Sequence, residues 1–182
     1  MSPQHNDRMS DLSFRLMAAT FSVIDLFSGY VEQRAQTFGL QPGMSVVDYG
    51  CGPGRYSLLF AGLVGASGVV YAVDVQPLAI ETVKKKAAQK GLQNIRPVLA
   101  HGYSSGLPDQ VAERLFALDM FFSVADPAAF LGELRRITRP DGLLILDDGH
   151  QSRQTTKEKL LASGYWTIQE ELRDHLKCAP RK

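Results

Sequence analysis

Residues Ser45-Val46-Val47-Asp48-Tyr49-Gly50-Cys51-Gly52-Pro53-Gly54-Arg55-Tyr56 constrain this chain more than any other stretch. Two β-branched residues lead into a carboxylate, and glycine then falls at every second position. Leu58, Leu59, Phe60 and Leu63 follow at helical spacing. A buried strand turning sharply into a helix gives this pattern. Glycine in such a turn admits positive φ and lets backbone come close to a ligand, and the amides opening the helix point the same way. The strand end is therefore a candidate binding site.

The dinucleotide fingerprint G-x-G-x-x-G requires glycine at its sixth position. Counted from Gly50 that position is Arg55, and counted from Gly52 it is Ser57. Both fail, which weighs against a nicotinamide oxidoreductase.

Composition bounds the rest. A chain of 182 residues with 45% hydrophobic and 21% charged residues is ordinary for one globular domain. A net charge of +1 supplies no field for a polyanion, so no nucleic-acid partner is expected. Lys84-Lys85-Lys86 with Lys90 reads as a solvated helix face. No apolar run is long enough for a membrane helix. Residues 1 to 13 read as a mobile polar start without a signal peptide's apolar centre. Cys51 and Cys178 have no metal spacing and fit a reducing, cytoplasmic setting; no metal site is expected.

Alternating strand and helix patterns follow. Leu16, Phe21, Ile24, Phe27, Tyr30 and Val31 mark one or two amphipathic helices, broken near Ser28-Gly29. Strands are expected at about 44 to 49, 68 to 74, 95 to 100 and 115 to 119. A turn at Arg139-Pro140-Asp141-Gly142 precedes a fifth strand, Leu143 to Leu146. Thr155 and Glu158 read as the capping box of a helix ended by Gly164. Trp166 to Glu170 and His175 to Ala179 close the chain as a hairpin. Candidate polar residues fall at the carboxyl ends of strands, the binding edge of a doubly wound α/β sheet.

The order acid-x-Gly-x-Gly-x-Gly, Asp48 to Gly54, resembles the first motif of the class I S-adenosylmethionine-dependent methyltransferases, a group that includes small ubiquinone- and menaquinone-biosynthesis enzymes. Asp74, ending the second strand, resembles the second motif; Asp119 with Met120-Phe121-Phe122 resembles the fourth; and Arg139 to Leu146 resembles the family's R/K-P-x-G turn and strand. The resemblance covers about residues 40 to 180. It implies a Rossmann-like, mostly parallel seven-stranded sheet of order 3-2-1-4-5-7-6, with strand 7 antiparallel and helices on both faces. It also implies S-adenosyl-L-methionine as cofactor and a small-molecule acceptor.

Cofactor contacts are then expected at Asp48, Gly50, Cys51, Gly52, Gly54, Tyr56, Asp74, Val75, Gly102, Tyr103 and Asp119. In the nucleoside reading, glycine amides and Asp74 hold the ligand, with Asp74 accepting from both ribose hydroxyls. After the third strand the family often carries an acid; this chain has His101 or Gly102. Adenine recognition there falls to backbone groups, to His101 or to a side chain such as Tyr103. Phe122 stands where some relatives place a histidine. Asp119 and His150 are the candidate catalytic residues, with Asp148 a possible orienting group for His150. Residues 1–40 form an N-terminal helical segment, either a lid over the site or a helix packed on the sheet flank, and residues 41–182 form the methyltransferase domain. A homodimer is compatible with this reading. The alternative is a non-catalytic partner subunit binding S-adenosylmethionine or a nucleoside, with Phe121-Phe122 facing its partner.

Overall fold

The computed structural model describes residues 9–181 and leaves the side chains of residues 21–28 undescribed. The expected stripe residues Phe21, Ile24 and Phe27 lie outside the described residues, as do residues 1–8 of the expected polar start. The remainder of that start is not a free tail. Helix α1 opens at Asp11, where Ser10 caps it by accepting the N–H of Ser13, and runs to Ser28. Gly29, at φ 55°, separates it from α2, Tyr30–Ala35, so the break falls where glycine predicts it.

Seven strands lie in the order β3-β2-β1-β4-β5-β7-β6. They are β1 Ser45–Tyr49, β2 Val69–Asp74, β3 Ile95–Leu99, β4 Ala112–Ala117, β5 Thr138–Leu146, β6 Trp166–Glu171 and β7 Leu176–Pro180. Helices α3 Arg55–Val64, α4 Pro77–Gln89, α5 Pro127–Ile137 and α6 Arg153–Ala162 intervene, with a short 3-10 turn at Phe121–Ser123. The chain forms two compact units, one reaching to Leu99 and the other starting at Ala100.

In the first unit β1 pairs parallel with β2, and β2 with β3. All five residues of β1 are buried, as a parallel strand covered on both faces requires. Helix α3 buries Phe60, Ala61 and Val64, while Leu63 on the opposite side is exposed. Helix α4 buries Ala79, Ile80, Val83 and Ala87 and ends before Gly91. Leu16, expected on the buried side of α1, is exposed; Phe14 is the buried contact there.

In the second unit β4 pairs parallel with β5, and β7 pairs antiparallel with both β5 and β6. Strand β4 starts earlier than expected and ends at Ala117, leaving Asp119 beyond it. The expected turn at Arg139 to Gly142 is instead an irregularity inside β5: Ala112 faces Thr138, and Arg114 already faces Leu143. Any side chain at Gly142 would meet the carbonyl of Ala112 at 2.8 Å, so only glycine fits the bulge. Helix α6 is capped by Ser152, which accepts the Thr155 N–H, rather than by Thr155. Glu158 accepts from Gln154 Nε2 instead of closing a capping box.

Candidate functional site

In the first unit, the turn after β1 is fixed by its own hydrogen bonds. The N–H groups of Gly50 and Cys51 both donate to Val73 O, at 2.8 and 3.0 Å, and that of Gly54 to Cys51 O at 2.9 Å. Gly52 N–H donates to Asp74 Oδ2 at 2.8 Å. The amides expected to hold a ligand thus have acceptors within the protein. What the turn presents instead is shape. Gly52 and Gly54 sit at φ 50° and 81°, a region closed to most side chains. A Cβ built on Gly52 would find only Met17 Cε, at 3.8 Å, whereas one on Gly54 would strike Val83 Cγ2 at 2.9 Å. Glycine is needed at 54 for helix packing, whereas at 52 a Cβ would stand in ordinary contact with Met17.

Asp48 is buried and accepts a short hydrogen bond from the hydroxyl of Ser57, itself fully buried. Ser57 occupies the place where a dinucleotide turn needs glycine, and here it ties the first turn of α3 back to β1. Tyr56 is buried against Phe38 and Phe60, and its hydroxyl accepts from Arg34 Nη1 at 2.9 Å. Lys86, expected on a solvated face, donates to Pro53 O at 3.1 Å and braces the turn.

Asp74 ends β2 with Oδ2 accepting Gly52 N–H and Oδ1 accepting Gln76 N–H, both at 2.8 Å. Burial pushes its carboxyl above the ordinary range, and the amide bonds from Gln76, Gly52 and Val75 offset only part of that. An ionised carboxylate has about four acceptor positions, so these amides leave room for a further donor. Val75 is half-buried beside it. Cys51 is buried, and burial, followed by the charges of Asp74 and Asp48, raises its thiol well above the usual range. It is inert packing rather than a nucleophile.

In the second unit, the loop after β3 carries His101 and Gly102 in solvent, with His101 and Ser104 bridged backbone to backbone. Tyr103 is engaged: its hydroxyl accepts from Asp126 N–H at 3.0 Å, and its ring lies edge-on to Phe130. The loop is pinned further by a network absent from the motif reading. Glu133 Oε1 accepts from both the N–H and the hydroxyl of Ser105, at 2.9 and 2.6 Å. Arg136 grips both oxygens of Glu133 and donates to Leu107 O and Asp109.

Asp119 is exposed and adopts φ 58°. Its N–H donates to Oδ1 of buried Asp147 at 2.8 Å. Phe121 is fully buried and stacks on Phe130, so it does not face a partner. Phe122 packs edge-on to His150 with ring centroids 4.7 Å apart, and any Cβ at Gly149 would collide with the Phe122 ring. Asp148 does not orient His150; both its oxygens are held by Arg153 Nε, at 2.8 and 3.0 Å. Among the described residues no helix is long and apolar enough to cross a membrane.

Comparison with known proteins gives a consistent result. Residues 40–177 match the family model of a methyltransferase domain. A demethylmenaquinone methyltransferase of Anoxybacillus flavithermus is 26% identical over 144 residues, 78% of this chain and 56% of the relative. A ubiquinone/menaquinone biosynthesis C-methyltransferase of Teredinibacter turnerae is 26% identical over 153 residues, 80% of this chain and 61% of the relative. The chain spans about half the length of the curated relatives it matches. Among solved structures, a SAM-dependent methyltransferase from Aquifex aeolicus shares the fold at a TM-score of 0.81, covering 94% of this chain and 97% of that one at 24% identity.

Proposed function

The chain belongs to the methyltransferase domain family, and from that premise we propose that it transfers a methyl group from S-adenosyl-L-methionine to a small-molecule acceptor. One observation carries the reading: the Asp74 carboxylate, held by backbone amides at the end of β2, keeps acceptor capacity beyond those amides. That is the complement of a vicinal diol such as the ribose of an adenosyl group. Gly52 supports it, because only the flexible end of Met17 lies near the position a Cβ would take, and a ligand that displaces it reaches the backbone.

When bound, S-adenosylmethionine supplies a methyl already activated on a sulfonium. The protein's task is alignment, from which preorganisation contributes ~7 to 11 kcal/mol. Asp74 orients the ribose side, and the turn at Gly50, Cys51, Gly52 and Gly54, pinned by Asp48 and Lys86, supplies a rigid wall. Asp119 and His150 are the acceptor-side groups in this proposal, His150 as a proton acceptor held against Phe122. The helices before β1 serve as a lid. A cytoplasmic protein working on a metabolite, with no nucleic-acid partner, completes the reading; a homodimer is compatible with it.

Calorimetry with S-adenosylmethionine, S-adenosylhomocysteine and NAD tests the donor site, and transfer of a labelled methyl over a panel of small acceptors tests the reaction. Binding of the two adenosyl compounds but not NAD is the expected result. Binding of NAD alone refutes the proposal.

A further inference from the structure

We propose that Gln76 is a latch that seats α1 over the donor loop, coupling occupancy at Asp74 to the position of that helix; the proposal rests on the donor-site reading above. Gln76 is buried, and its two ends do different work. Its backbone N–H holds Asp74 Oδ1 at 2.8 Å. Its side-chain Nε2 donates to Met9 O at 3.1 Å and to Asp11 Oδ1 at 3.0 Å, partners 67 and 65 positions away in the chain. A buried amide whose donors are both used by one distant helix start is a joint, because losing either partner leaves a desolvated polar group.

A second contact closes the circuit. Further along α1, Met17 Cε lies 3.8 Å from where a Cβ on Gly52 would stand. Gly52 is the residue whose N–H holds the other oxygen of Asp74. Helix α1 therefore reaches both residues that hold the acid: it bonds Gln76 at its start, and Met17 stands beside Gly52.

The start of the helix needs such a joint. Leu12 and Leu16, the apolar residues of its first turns, are 70% and 63% exposed, and Phe14 is the buried anchor of that stretch. A helix start that leaves its leucines in water gains little from packing, so polar anchors contribute to how firmly that end is held. With α1 seated, Met17 bounds the open side of Gly52. A ligand lodged there is released only after the helix lifts, and weakening the latch lowers the fraction of molecules in the holding form.

The test uses the full chain and S-adenosylhomocysteine as probe. Release is followed after a chase, and amide hydrogen exchange is read separately over α1 and over the turn at residues 50–54. In the wild type, binding is expected to slow exchange in both segments. Gln76→Leu, which keeps bulk and removes both donors, is expected to release the probe on the order of tenfold faster and to lose the slowing in α1 while keeping it in the turn. Asp11→Ala, at an exposed position and safe for folding, shifts release in the same direction, whereas Asp11→Asn, which retains an acceptor, stays near wild type. The double variant Gln76→Leu, Asp11→Ala is no faster than Gln76→Leu alone. Wild-type release and wild-type α1 exchange in both Gln76→Leu and Asp11→Ala overturn the latch while leaving the donor site standing. A wild-type protein that does not bind the probe overturns the donor-site reading itself.

Discussion

Asp147 Oδ1 accepts the backbone N–H of Asp119 at 2.8 Å, and Asp119 sits in a left-handed conformation at φ 58°. A buried acid at the end of one strand thus holds a strained residue beyond the end of the strand paired with it. Backbone strain of this kind costs roughly 1 to 3 kcal/mol and persists only where the surroundings enforce it. Replacing Asp147 with Ala removes the enforcing acceptor and orphans the amide, with an expected loss of about 1 to 3 kcal/mol in urea unfolding. Asp147→Asn keeps an oxygen acceptor and recovers most of it. Asp119→Gly relieves the strain and leaves stability unchanged or higher, whereas Asp119→Val lowers it. Equal stability of the Gly and Val variants would show that the conformation is not enforced.

Gly52 and Gly54 separate by what a methyl group would meet. At Gly54 the positive φ is compounded by Val83 Cγ2 at 2.9 Å, so Gly54→Ala destabilises through both strain and overpacking, by roughly 2 kcal/mol or more. At Gly52 the Cβ has room, and Gly52→Ala carries only the cost of positive φ, about 1 kcal/mol. Its effect falls on the ligand: affinity for S-adenosylhomocysteine drops in Gly52→Ala by more than its stability does, and in Gly52→Val it is abolished. Thermal melts paired with calorimetry distinguish the two sites.

How much of this was legible beforehand depends on the range of the interaction. The helix break at Gly29 follows from local composition, whereas the strand order is what the family resemblance implies and the sheet bears it out. The errors came from partners that local pattern does not reveal. Arg139 to Gly142 has turn composition, yet β4 recruits it as a bulge within β5. Glycines after a strand suggest donors aimed at a ligand, yet Val73 O and Asp74 take those amides. Ser105 meets Glu133 from 28 positions away and Gln76 meets Met9 from 67, and no spacing rule picks these pairs from other polar residues.

Asp74 gives the chain a pH signature. Burial raises its carboxyl in the folded protein above the ordinary value. Between the unfolded and folded values the native form binds more protons than the unfolded one, so stability without donor falls as pH rises through that window. Asp74→Asn removes this slope. Donor affinity runs the opposite way, since the ionised acid is the better acceptor for hydroxyls: binding weakens as pH drops through the raised value. At neutral pH Asp74→Ala costs about 1.5 to 3 kcal/mol of binding, the range for hydrogen bonds to a charged group. Calorimetry across the acid range together with urea midpoints checks both slopes, and parallel slopes in wild type and Asp74→Asn would assign the titration to another group.

Glu133 carries the reverse sign. Burial raises its carboxyl, but the hydrogen bonds from Arg136 and Ser105 outweigh that, and the net shift is downward. Its contribution to stability is therefore complete above the unfolded carboxyl value and is lost as pH falls through the lowered folded value. Glu133→Gln keeps one acceptor oxygen for Ser105 but gives up the paired grip of Arg136. It is expected to be less stable than wild type at neutral pH by about 1 to 3 kcal/mol, since a charged hydrogen-bonding group is lost. The gap narrows in acid, where wild-type Glu133 is itself protonated. The loop from His101 to Asp109 also loosens, because Ser105 and Asp109 are both tied through this pair. Faster proteolysis within that loop in Glu133→Gln, with cleavage elsewhere unchanged, checks the local effect. A stability gap that is the same at every pH would mean that the pair contributes through packing and not through charge.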